Sequence, residues 1–584
     1  MSLQSDASTS VAFMGSGGTG VMTTGSLLLA SAADAGWYGL MGRSFGPQIR
    51  GGEAAALLRL AGQPVAAPPD TYRLVIAFDW SNIERFAAEI PMDGQTLVLC
   101  DPAAGALPEE VAAYGPRTAE LPLKELAKST KGGRMNMIAA GLAAALIGLP
   151  RATLEARVRA LMGPRGEQAL HASLACVAEG WAIADRYADA FTFKAPAIDA
   201  DADADERWLI SGNEAAGLGA LRAGVRFVAA YPITPATDIV EWLAGELPRV
   251  EGQLAQAEDE IATINMCLGS SYGGVPSLTA TSGPGLALMI ETLGLAVASE
   301  TPVVVIDVMR GGPSTGIPTK SEQADLNTAL FGLTGDAPHL VVAPNGISDC
   351  IHATQWAAGL CEALQAAAIV LSDQALGQTR AICARPPTRT FDLERRQPDA
   401  AELEDYQRYR VTDDGVSPMS IPGTAGGHYT ADGLEHGTRG TPSSQASDHQ
   451  AQLDKRRRKL ADFDYGDYWA DIEGDGALAA ITWGSVTDAV REALTRLRAD
   501  GRHVRMVSVR LLAPVQPAAM AAALKGVEQA LVVEQNHEAQ FYHYLKGYYD
   551  IDIPLTSMAR PGPLLMRPGE IQTALAGLFE QEVA

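Results

Sequence analysis

The sequence lacks clustered cysteines. Its six cysteines are scattered, with no Cys-x-x-Cys pair and no proline-flanked run, at Cys100, Cys176, Cys267, Cys350, Cys361 and Cys383. Iron–sulfur clusters are held by grouped cysteine thiolates, so this chain is predicted to hold none. The nine histidines are also isolated, without the spacing of metal ligands. We therefore predict no metal site formed by this chain alone.

Basic residues are also fewer than acidic residues in this sequence. The chain has 45 Lys and Arg against 69 Asp and Glu, a formal charge of −24. This balance argues against nucleic acid and against an anionic membrane as partners. The longest apolar run, residues 138–149, is too short to span a bilayer, and the N-terminus lacks the basic and apolar regions of a signal peptide. We expect a cytoplasmic protein.

The length of 584 residues exceeds what one hydrophobic core supports and indicates about three or four domains. Apolar strands, polar loops and helices alternate along much of the chain, which predicts an α/β fold with parallel sheets. Composition suggests the following segments: a first domain at 1–195, an acidic linker at 196–207, a second domain at 208–384, a polar connecting segment at 385–476 and a last domain at 477–584.

The polar connecting segment is unusually long for a loop. Long loops in compact proteins are usually functional or packed on a partner, so we expect this segment to lie on another chain. Its basic run at residues 455–459 is interpreted as a solvated helix face.

The most informative segment is Tyr-Pro-Ile-Thr-Pro at residues 231–235. It follows an apolar strand at 225–230 and precedes a predicted helix at 236–247. This spacing puts Thr234 at the N-cap and Pro235 at the first helical position. Free backbone N–H groups and the helix dipole would then face an organic anion, such as a carboxylate. An ordinary capped turn is the alternative interpretation.

Two further loops follow apolar strands at 277–281 and 303–309. The first is Ser-Gly-Pro-Gly at 282–285, and the second runs from Arg310 to Thr319. Because parallel strands gather ligands at their carboxyl ends, we expect Thr234, Ser282, Arg310 and Thr319 to converge on one edge. The Arg310 guanidinium suits two-pronged binding of a carboxylate, and a surface salt bridge is its structural alternative.

A second glycine-rich turn, Gly-Ser-Gly-Gly-Thr-Gly at 15–20, follows an apolar strand near the N-terminus. Alone it is a weak signal for a nucleotide phosphate site. A nicotinamide site also requires an acid roughly 20 residues further on, and residues 36–43 contain none. This absence counts against a nicotinamide-dependent dehydrogenase. A non-catalytic nucleotide-binding module on a transketolase-like scaffold stays open as an alternative.

Four motifs resemble those of the 2-oxoacid:ferredoxin oxidoreductases, in order and spacing. They are Tyr-Pro-Ile-Thr-Pro at 231–235, Glu-Asp-Glu-Ile-Ala at 258–262, Thr-Ser-Gly-Pro-Gly at 281–285 and Arg-Gly-Gly-Pro-Ser-Thr-Gly at 310–316. They are similar to the pyrimidine-binding alpha subunit. Residues 44–53 resemble the gamma domain of the same enzymes, and the last domain resembles a transketolase C-terminal domain. The resemblance therefore implies a fused gamma-alpha chain.

The resemblance implies that a thiamine diphosphate site is shared with a beta subunit. Such enzymes decarboxylate a 2-oxoacid oxidatively, form an acyl-coenzyme A and reduce ferredoxin. The one Gly-Asp-Gly segment, at 474–476, is not followed by an Asn until residue 536, so magnesium and a [4Fe-4S] cluster are expected on the beta chain, in a dimer of alpha-beta heterodimers. The fused arrangement resembles that of 2-oxoglutarate enzymes. Pyruvate, branched-chain and other 2-oxoacids are the alternative substrates.

The resemblance also assigns residues. Thiamine needs an acid at N1' of its pyrimidine, and among Glu258, Asp259 and Glu260 the resemblance selects Glu260. Substrate binding is assigned to Thr234, Arg310 and Thr319, and the pyrimidine side of the cofactor site to Tyr231, Pro232, Ser282 and Gly283. The gamma-like domain lies near coenzyme A in this family, which implicates Gly15, Gly17, Gly18, Arg43 and Arg50. Structural arginines are the alternative for the last two.

Overall fold

The structure is a computed structural model that describes residues 8–46, 52–196 and 207–581. Contacts divide the chain into two compact units. The first comprises Met1–Ser211, Gln378–Pro387 and Pro563–Ile571, and the second Gly212–Gly377, Thr388–Gly562 and Gln572–Ala584. Residues 197–206, most of the predicted acidic linker, lie outside the described residues.

Within its described residues, the first unit has an eight-stranded sheet in the order β6-β5-β4-β1-β3-β2-β14-β7. The strands are β1 Ser8–Ser16, β2 Tyr38–Phe45, β3 Glu53–Ala61, β4 Leu74–Ala77, β5 Leu97–Cys100, β6 Arg117–Glu120, β7 Arg207–Ser211 and β14 Arg380–Ala384. The helices are α1 Val21–Asp34, α2 Ile83–Phe86, α3 Glu109–Ala112, α4 Leu123–Ser129, α5 Met135–Leu146, α6 Arg151–Met162 and α7 Glu167–Ala182.

Strand β1 explains why this sheet is covered on both faces. Side chains alternate along a strand, and all of those from Val11 to Met14 are apolar and buried. Val11 and Phe13 join the larger core, which includes residues of α1, α5 and α7. Ala12 and Met14 join a second core with residues of α2.

The larger sheet of the second unit has seven strands in the described residues, in the order β18-β12-β13-β11-β10-β8-β9. They are β8 Phe227–Ala230, β9 Gln253–Gln256, β10 Ser277–Thr281, β11 Val303–Met309, β12 Leu340–Val342, β13 Ala367–Asp373 and β18 Leu511–Ala513. Neighbours are parallel except for β12 and β18. The surrounding helices are α8 Gly212–Arg222, α9 Thr237–Glu246, α10 Glu260–Tyr272, α11 Gly283–Ser299, α12 Leu326–Phe331, α13 Asp349–Leu364 and α14 Gln374–Gln378.

A smaller sheet of the second unit has five strands in the described residues, in the order β15-β17-β16-β19-β20. They are β15 Ala470–Glu473, β16 Leu478–Thr482, β17 Val504–Val509, β19 Gln529–Glu534 and β20 Leu555–Ala559, and the remaining helices are α15 Ala400–Glu404, α16 Ala446–Ala461, α17 Thr487–Ala499, α18 Pro517–Ala523, α19 Gln540–Tyr548 and α20 Pro568–Gln581. All neighbours except β15 and β17 are parallel. The predicted α/β class is confirmed, and both sheets of the second unit are mostly parallel, whereas the sheet of the first unit has three parallel and four antiparallel pairs of neighbours.

The polar connecting segment packs on helices of the second unit. Arg395 is buried and donates two hydrogen bonds to the carboxylate of Glu362 in α13, at 2.7 and 2.9 Å. Its guanidinium also donates to the carbonyl and hydroxyl oxygens of Ser271 in α10, at 2.6 and 3.0 Å. The segment thereby joins α10 to α13. Its contact with another chain stays a prediction.

The interpretation of the basic run as a solvated helix face is wrong. Lys455 and Lys459 of α16 are buried, and their ammonium groups bind the carboxylate of Glu300 at 2.6 and 2.9 Å. Glu300 ends α11 and is itself fully buried. The two lysines and Arg408 hold the pKa of Glu300 well below its ordinary value, against the opposing effect of burial. Sequence spacing could not reveal this carboxylate because it lies 155 residues before Lys455.

Replacing Glu300 by glutamine is expected to lower the free energy of unfolding by about 3 kcal/mol, because two buried ammonium groups lose their counter-charge. Glu251→Gln is the matched control, since Glu251 has the same left-handed backbone (φ 59° against 50°) but an exposed side chain. Denaturant unfolding of both variants measures the difference. Equal stabilities would contradict the buried ion pairs.

Candidate functional site

Three loops of the second unit meet at one edge of its larger sheet. Strands β8, β10 and β11 are adjacent and parallel. Their carboxyl ends, Ala230, Thr281 and Met309, therefore lie at the same edge, where ligands of such sheets bind. The loops that follow carry Thr234, Ser282 and Arg310.

Arg310 contacts the first of these loops directly. Its Nη1 donates a hydrogen bond of 2.6 Å to the carbonyl oxygen of Thr234. Only 6% of Arg310 is exposed, and its Nε is buried without a hydrogen-bond partner among the described residues. Burial lowers the pKa of Arg310, and the carboxyls of Asp325 and Asp307 oppose that shift. The structure thus brings Thr234 and Arg310 together and leaves guanidinium hydrogen-bonding capacity unused.

The predicted N-cap at Thr234 is wrong. Helix α9 begins at Thr237, and the N-cap residue is Ala236. The Pro235 carbonyl accepts a hydrogen bond from the Asn213 side chain at 2.9 Å, while the Ile239 amide donates to Ala236. The Thr237 amide donates to the Ile233 carbonyl at 3.0 Å, so the chain is still in a turn at Thr234 and the helix starts after this turn. Thr234 lies in the turn before it, and its peptide bond to Pro235 is cis.

The three competing acids before α10 occupy different environments. Glu258 and Asp259 are exposed, and the Asp259 carboxylate caps α10 by accepting a hydrogen bond from the Ala262 amide at 2.7 Å. Glu260 is 7% exposed and is the first residue of α10. Its carboxylate accepts no hydrogen bond from a described residue. Glu260 is therefore the acid of the three that is desolvated and available.

Helix α11 begins beside Glu260. A Cβ atom on Gly285 would lie 2.8 Å from Glu260 Oε1 and 2.0 Å from Thr281 Oγ1, so only glycine allows this approach. Ser282 is the N-cap residue, and its hydroxyl is buried without a hydrogen-bond partner among the described residues. An acid and a hydroxyl with unused hydrogen-bonding capacity suit a heterocycle that carries both donors and acceptors.

The remaining predicted residues of this region border the same loops. Tyr231 and Pro232 are exposed, Gly283 is the first residue of α11 and Thr319 is half-buried. The loop after β11 closes on itself. The Gly311 amide donates to the Lys320 carbonyl at 3.0 Å, and the Ile317 amide donates to Gly311 at 2.8 Å. These two hydrogen bonds bring the backbone beside Thr319 next to Gly311, the residue that follows Arg310.

Several hydrogen-bond donors of the glycine-rich turn in the first unit already bind acceptors within the protein. The Asp79 carboxylate accepts hydrogen bonds from the amide and hydroxyl of Ser16, at 3.0 and 2.6 Å. The Gly17 amide donates to Gly52, and the Thr19 amide donates to Ser16. An anion at this turn would therefore rely on the first amides of α1, beyond Gly20.

The other residues assigned near coenzyme A lie as follows. Gly15 continues β1, and Gly18 has φ 95° with open space where a side chain would be. Arg43 is half-buried in β2. Arg50 lies outside the described residues.

Two family models match the chain. Residues 10–183 match the pyruvate ferredoxin/flavodoxin oxidoreductase family, and residues 218–455 match the thiamine diphosphate-binding domain of pyruvate flavodoxin/ferredoxin oxidoreductases. Subunit KorA of a 2-oxoglutarate oxidoreductase from Mycobacterium tuberculosis is 30% identical, over 93% of this chain and 87% of its own length. This chain belongs to the 2-oxoacid:ferredoxin oxidoreductase family.

A solved member of the family supports the same conclusion across the whole fold. The 2-oxoglutarate:ferredoxin oxidoreductase from Magnetococcus marinus has a TM-score of 0.88 and 34% identity, and the match covers 98% of this chain and 99% of that one. It was solved with 2-oxoglutarate, coenzyme A and succinyl-CoA bound. The alpha subunit of the Saccharolobus solfataricus 2-oxoacid:ferredoxin oxidoreductase is 34% identical, and the chain spans 57% of its length.

The sequence interpretation of this oxidoreductase chain missed two acids beside Arg310. Asp307 lies inside β11, and Asp325 is the N-cap residue of α12. Asp307 is fully buried, and neither of its carboxyl oxygens has a hydrogen-bond donor among the described residues. The available signal was a single acid in the apolar Val-Val-Val-Ile-Asp-Val-Met strand, since unpaired buried acids are rare.

Membrane and metal features were also sought in residues 8–46, 52–196 and 207–581. No helix there has the length and apolar character needed to cross a bilayer. Those residues also contain no group of three or more His, Cys, Asp and Glu side chains arranged to hold a metal ion. All six cysteines are free thiols.

Proposed function

We propose that this chain is the fused gamma-alpha subunit of a 2-oxoglutarate:ferredoxin oxidoreductase. With a beta subunit, it converts 2-oxoglutarate and coenzyme A to succinyl-coenzyme A and CO2 and reduces ferredoxin. The match to the Magnetococcus marinus enzyme supports the choice of substrate. In this proposal residues 1–195 form the gamma-like domain, 208–384 the pyrimidine-binding domain and 477–584 the transketolase C-terminal-like domain.

The hydrogen bond between Arg310 and Thr234 carries this proposal. It places a buried guanidinium, with Nε unused, at the sheet edge that also holds the Ser282 loop. A buried cation without a salt bridge to a described residue is expected to receive an anion, and a 2-oxoacid supplies a carboxylate next to its reacting carbonyl. Thr234 and Thr319 would supply hydroxyl groups around the same anion.

Thiamine diphosphate, when bound, supplies the nucleophilic carbon that attacks the 2-oxo group. The residues of this chain would hold a proton at N1' of the cofactor's pyrimidine ring. The Glu260 carboxylate, desolvated and without a donor among the described residues, would bind N1' of the pyrimidine and keep a proton there. Tyr231, Pro232, Ser282 and Gly283 would border the ring, and the Ser282 hydroxyl would gain the hydrogen bond that no described residue provides.

The partner assignments extend the proposal. A beta subunit would carry the magnesium-diphosphate site and a [4Fe-4S] cluster, pass electrons to ferredoxin and complete a dimer of heterodimers. Coenzyme A would bind the first unit near Gly15, Gly17, Gly18 and Arg43, together with Arg50. Because Asp79 repels a phosphate at Ser16, we expect the coenzyme's phosphates at the N-terminus of α1.

The purified alpha-beta complex tests this function. With coenzyme A present, viologen reduction is expected to have its highest kcat/KM with 2-oxoglutarate, followed by pyruvate and branched-chain 2-oxoacids. A higher value with pyruvate would favour the substrate named in the matching family descriptions. No viologen reduction with any 2-oxoacid would contradict the proposed enzyme class.

The isolated chain is expected to be colourless and inactive when it is purified without oxygen. Its scattered cysteines offer no cluster ligands, and the diphosphate motif is missing from its sequence. Iron analysis and visible absorption of the chain, compared with the complex, measure this. Stoichiometric cluster iron on the isolated chain would overturn the two-subunit arrangement.

A further inference from the structure

Asp307 is enclosed at the centre of the larger sheet. In the strand register it lies beside Thr281 on β10 and Leu371 on β13. It is fully buried, and neither carboxyl oxygen meets a hydrogen-bond donor among the described residues. The neighbouring group is the Asp325 carboxyl, which contributes to raising the pKa of Asp307. Two carboxyls can hydrogen-bond each other only if the pair holds a proton.

Asp325 connects this buried acid to the loops of the proposed site. Although it is the N-cap residue of α12, its side chain does not cap the helix. The carboxyl instead packs on Gly283, where a Cβ atom would lie 2.6 and 2.7 Å from its two oxygens. Its Oδ2 is buried without a hydrogen-bond partner in the described part of the chain. The Asp325 side chain thus contacts the Gly283 loop and does not bind the amides at the start of α12.

The charges around the pair explain why it retains a proton. Burial and the nearby Glu322 carboxylate raise the pKa of Asp325 to about 6, and Arg310 opposes this rise. Burial and Asp325 raise the pKa of Asp307 well above its ordinary value. Burial raises the pKa of Glu322 itself, while the hydrogen bond that it accepts from the Gly562 amide, at 3.1 Å, and the charge of His537 oppose this rise. Asp307 and Asp325 are two acids close to one arginine, so one proton at least is favoured on the pair.

We propose that Asp325 and Asp307 form a proton-sharing pair that compensates the charge which a substrate carboxylate brings to Arg310. This inference rests on the proposed function of Arg310. In the free enzyme, the pair carries one proton and one negative charge opposite the guanidinium. When the 2-oxoacid carboxylate binds Arg310, it replaces that negative charge, and the pair takes up one proton from solvent. Asp325 and Asp307 are thus positioning residues that do not touch the substrate.

The sign of the pH effect follows from this exchange. A bound carboxylate raises the pKa of a nearby acid, so binding takes up a proton wherever the free pair is singly protonated. Above about pH 6, the substrate affinity should therefore fall as pH rises. For uptake of one proton the KM increases by at most about tenfold per pH unit.

The test is steady-state kinetics of the alpha-beta complex with 2-oxoglutarate between pH 6 and 9. In the wild type, KM is expected to rise by about tenfold or more from pH 6.5 to 8.5. In Asp325→Asn, KM should change by less than about twofold over this range, because the acid that takes up the proton is missing. Asp336→Asn removes an exposed acid just beyond α12 and should keep the wild-type slope. Asp325→Ser serves as a second variant, with the same loss of slope, because it also removes the acid that takes up the proton.

A wild-type slope in Asp325→Asn, or a flat KM profile in the wild type, would overturn the inference. If Asp325→Asn fails to assemble, as judged by thermal unfolding, Asp325→Ser decides the question alone. Arg310→Ala separates this inference from the proposed function. If Arg310→Ala leaves the 2-oxoglutarate KM unchanged, the proposal that Arg310 binds the substrate is wrong. If it raises KM while Asp325→Asn keeps the pH slope, only the proton-sharing pair is wrong.

Discussion

Replacing Glu260 by glutamine is expected to lower kcat by about 10²–10⁴-fold while the alpha-beta complex still folds and binds thiamine diphosphate. Glutamine has nearly the same shape, so the close packing of this side chain on Gly285 is kept. The amide cannot exchange the proton that a carboxylic acid holds at N1'. The expected loss is therefore in turnover, and the rate of hydrogen exchange at the reactive carbon of thiamine, measured by NMR, should fall with kcat.

Glu258→Gln is the matched control for this result. Glu258 is exposed and lies two residues earlier, so its replacement should leave kcat within about twofold of the wild type. Normal turnover in Glu260→Gln, with loss in Glu258→Gln, would transfer the acid's role to the exposed residue. Normal turnover in both variants would remove this segment from the mechanism.

Replacing Arg310 by alanine is expected to lower kcat/KM for the 2-oxoacid by about 2–5 kcal/mol of transition-state stabilisation. The guanidinium is buried, so its loss leaves a substrate carboxylate without a charged donor in a desolvated site. Thr234→Ala should cost only about 1 kcal/mol. It removes one hydroxyl but keeps the Thr234 carbonyl that Arg310 binds.

Coenzyme A provides the internal control for both substitutions. Its KM should barely change, because its proposed contacts are in the first unit and both substitutions are in the second. The two substrates are varied separately in the reconstituted complex. A large rise in the KM for coenzyme A, with normal 2-oxoacid kinetics, would show that the two binding sites had been exchanged.

The strands that carry the site were predictable from local sequence. The strands predicted at 277–281 and 303–309 coincide with β10 and β11, and every residue in them is buried, as is typical of parallel sheets covered on both faces. The four loop motifs lie in sequence order at the ends of strands or the start of a helix. Local patterns and the family resemblance were therefore sufficient to locate Glu260, Ser282 and Arg310 in one unit.

Features set by distant residues were not predictable in this way. The turn before α9 is bound by Asn213, whose side chain donates a hydrogen bond to the Pro235 carbonyl from 22 residues away. The burial of Lys455 depends on Glu300, and the occupation of the glycine-rich turn depends on Asp79, 63 residues from Ser16. In each case a side chain distant in sequence forms a hydrogen bond or ion pair with a polar group that has no such partner nearby in the sequence. The spacing of residues in the sequence therefore does not predict these interactions.

Competition between two substrates tests the central claim most directly. The alpha-beta complex is supplied with equal concentrations of 2-oxoglutarate and pyruvate, limiting coenzyme A and oxidised ferredoxin, and the acyl-coenzyme A products are quantified by mass spectrometry. The product ratio reports the ratio of kcat/KM values for the two substrates. We predict mainly succinyl-coenzyme A, formed together with an equal amount of CO2 and with reduced ferredoxin. A product that is mainly acetyl-coenzyme A, or the absence of any acyl-coenzyme A, would contradict the account.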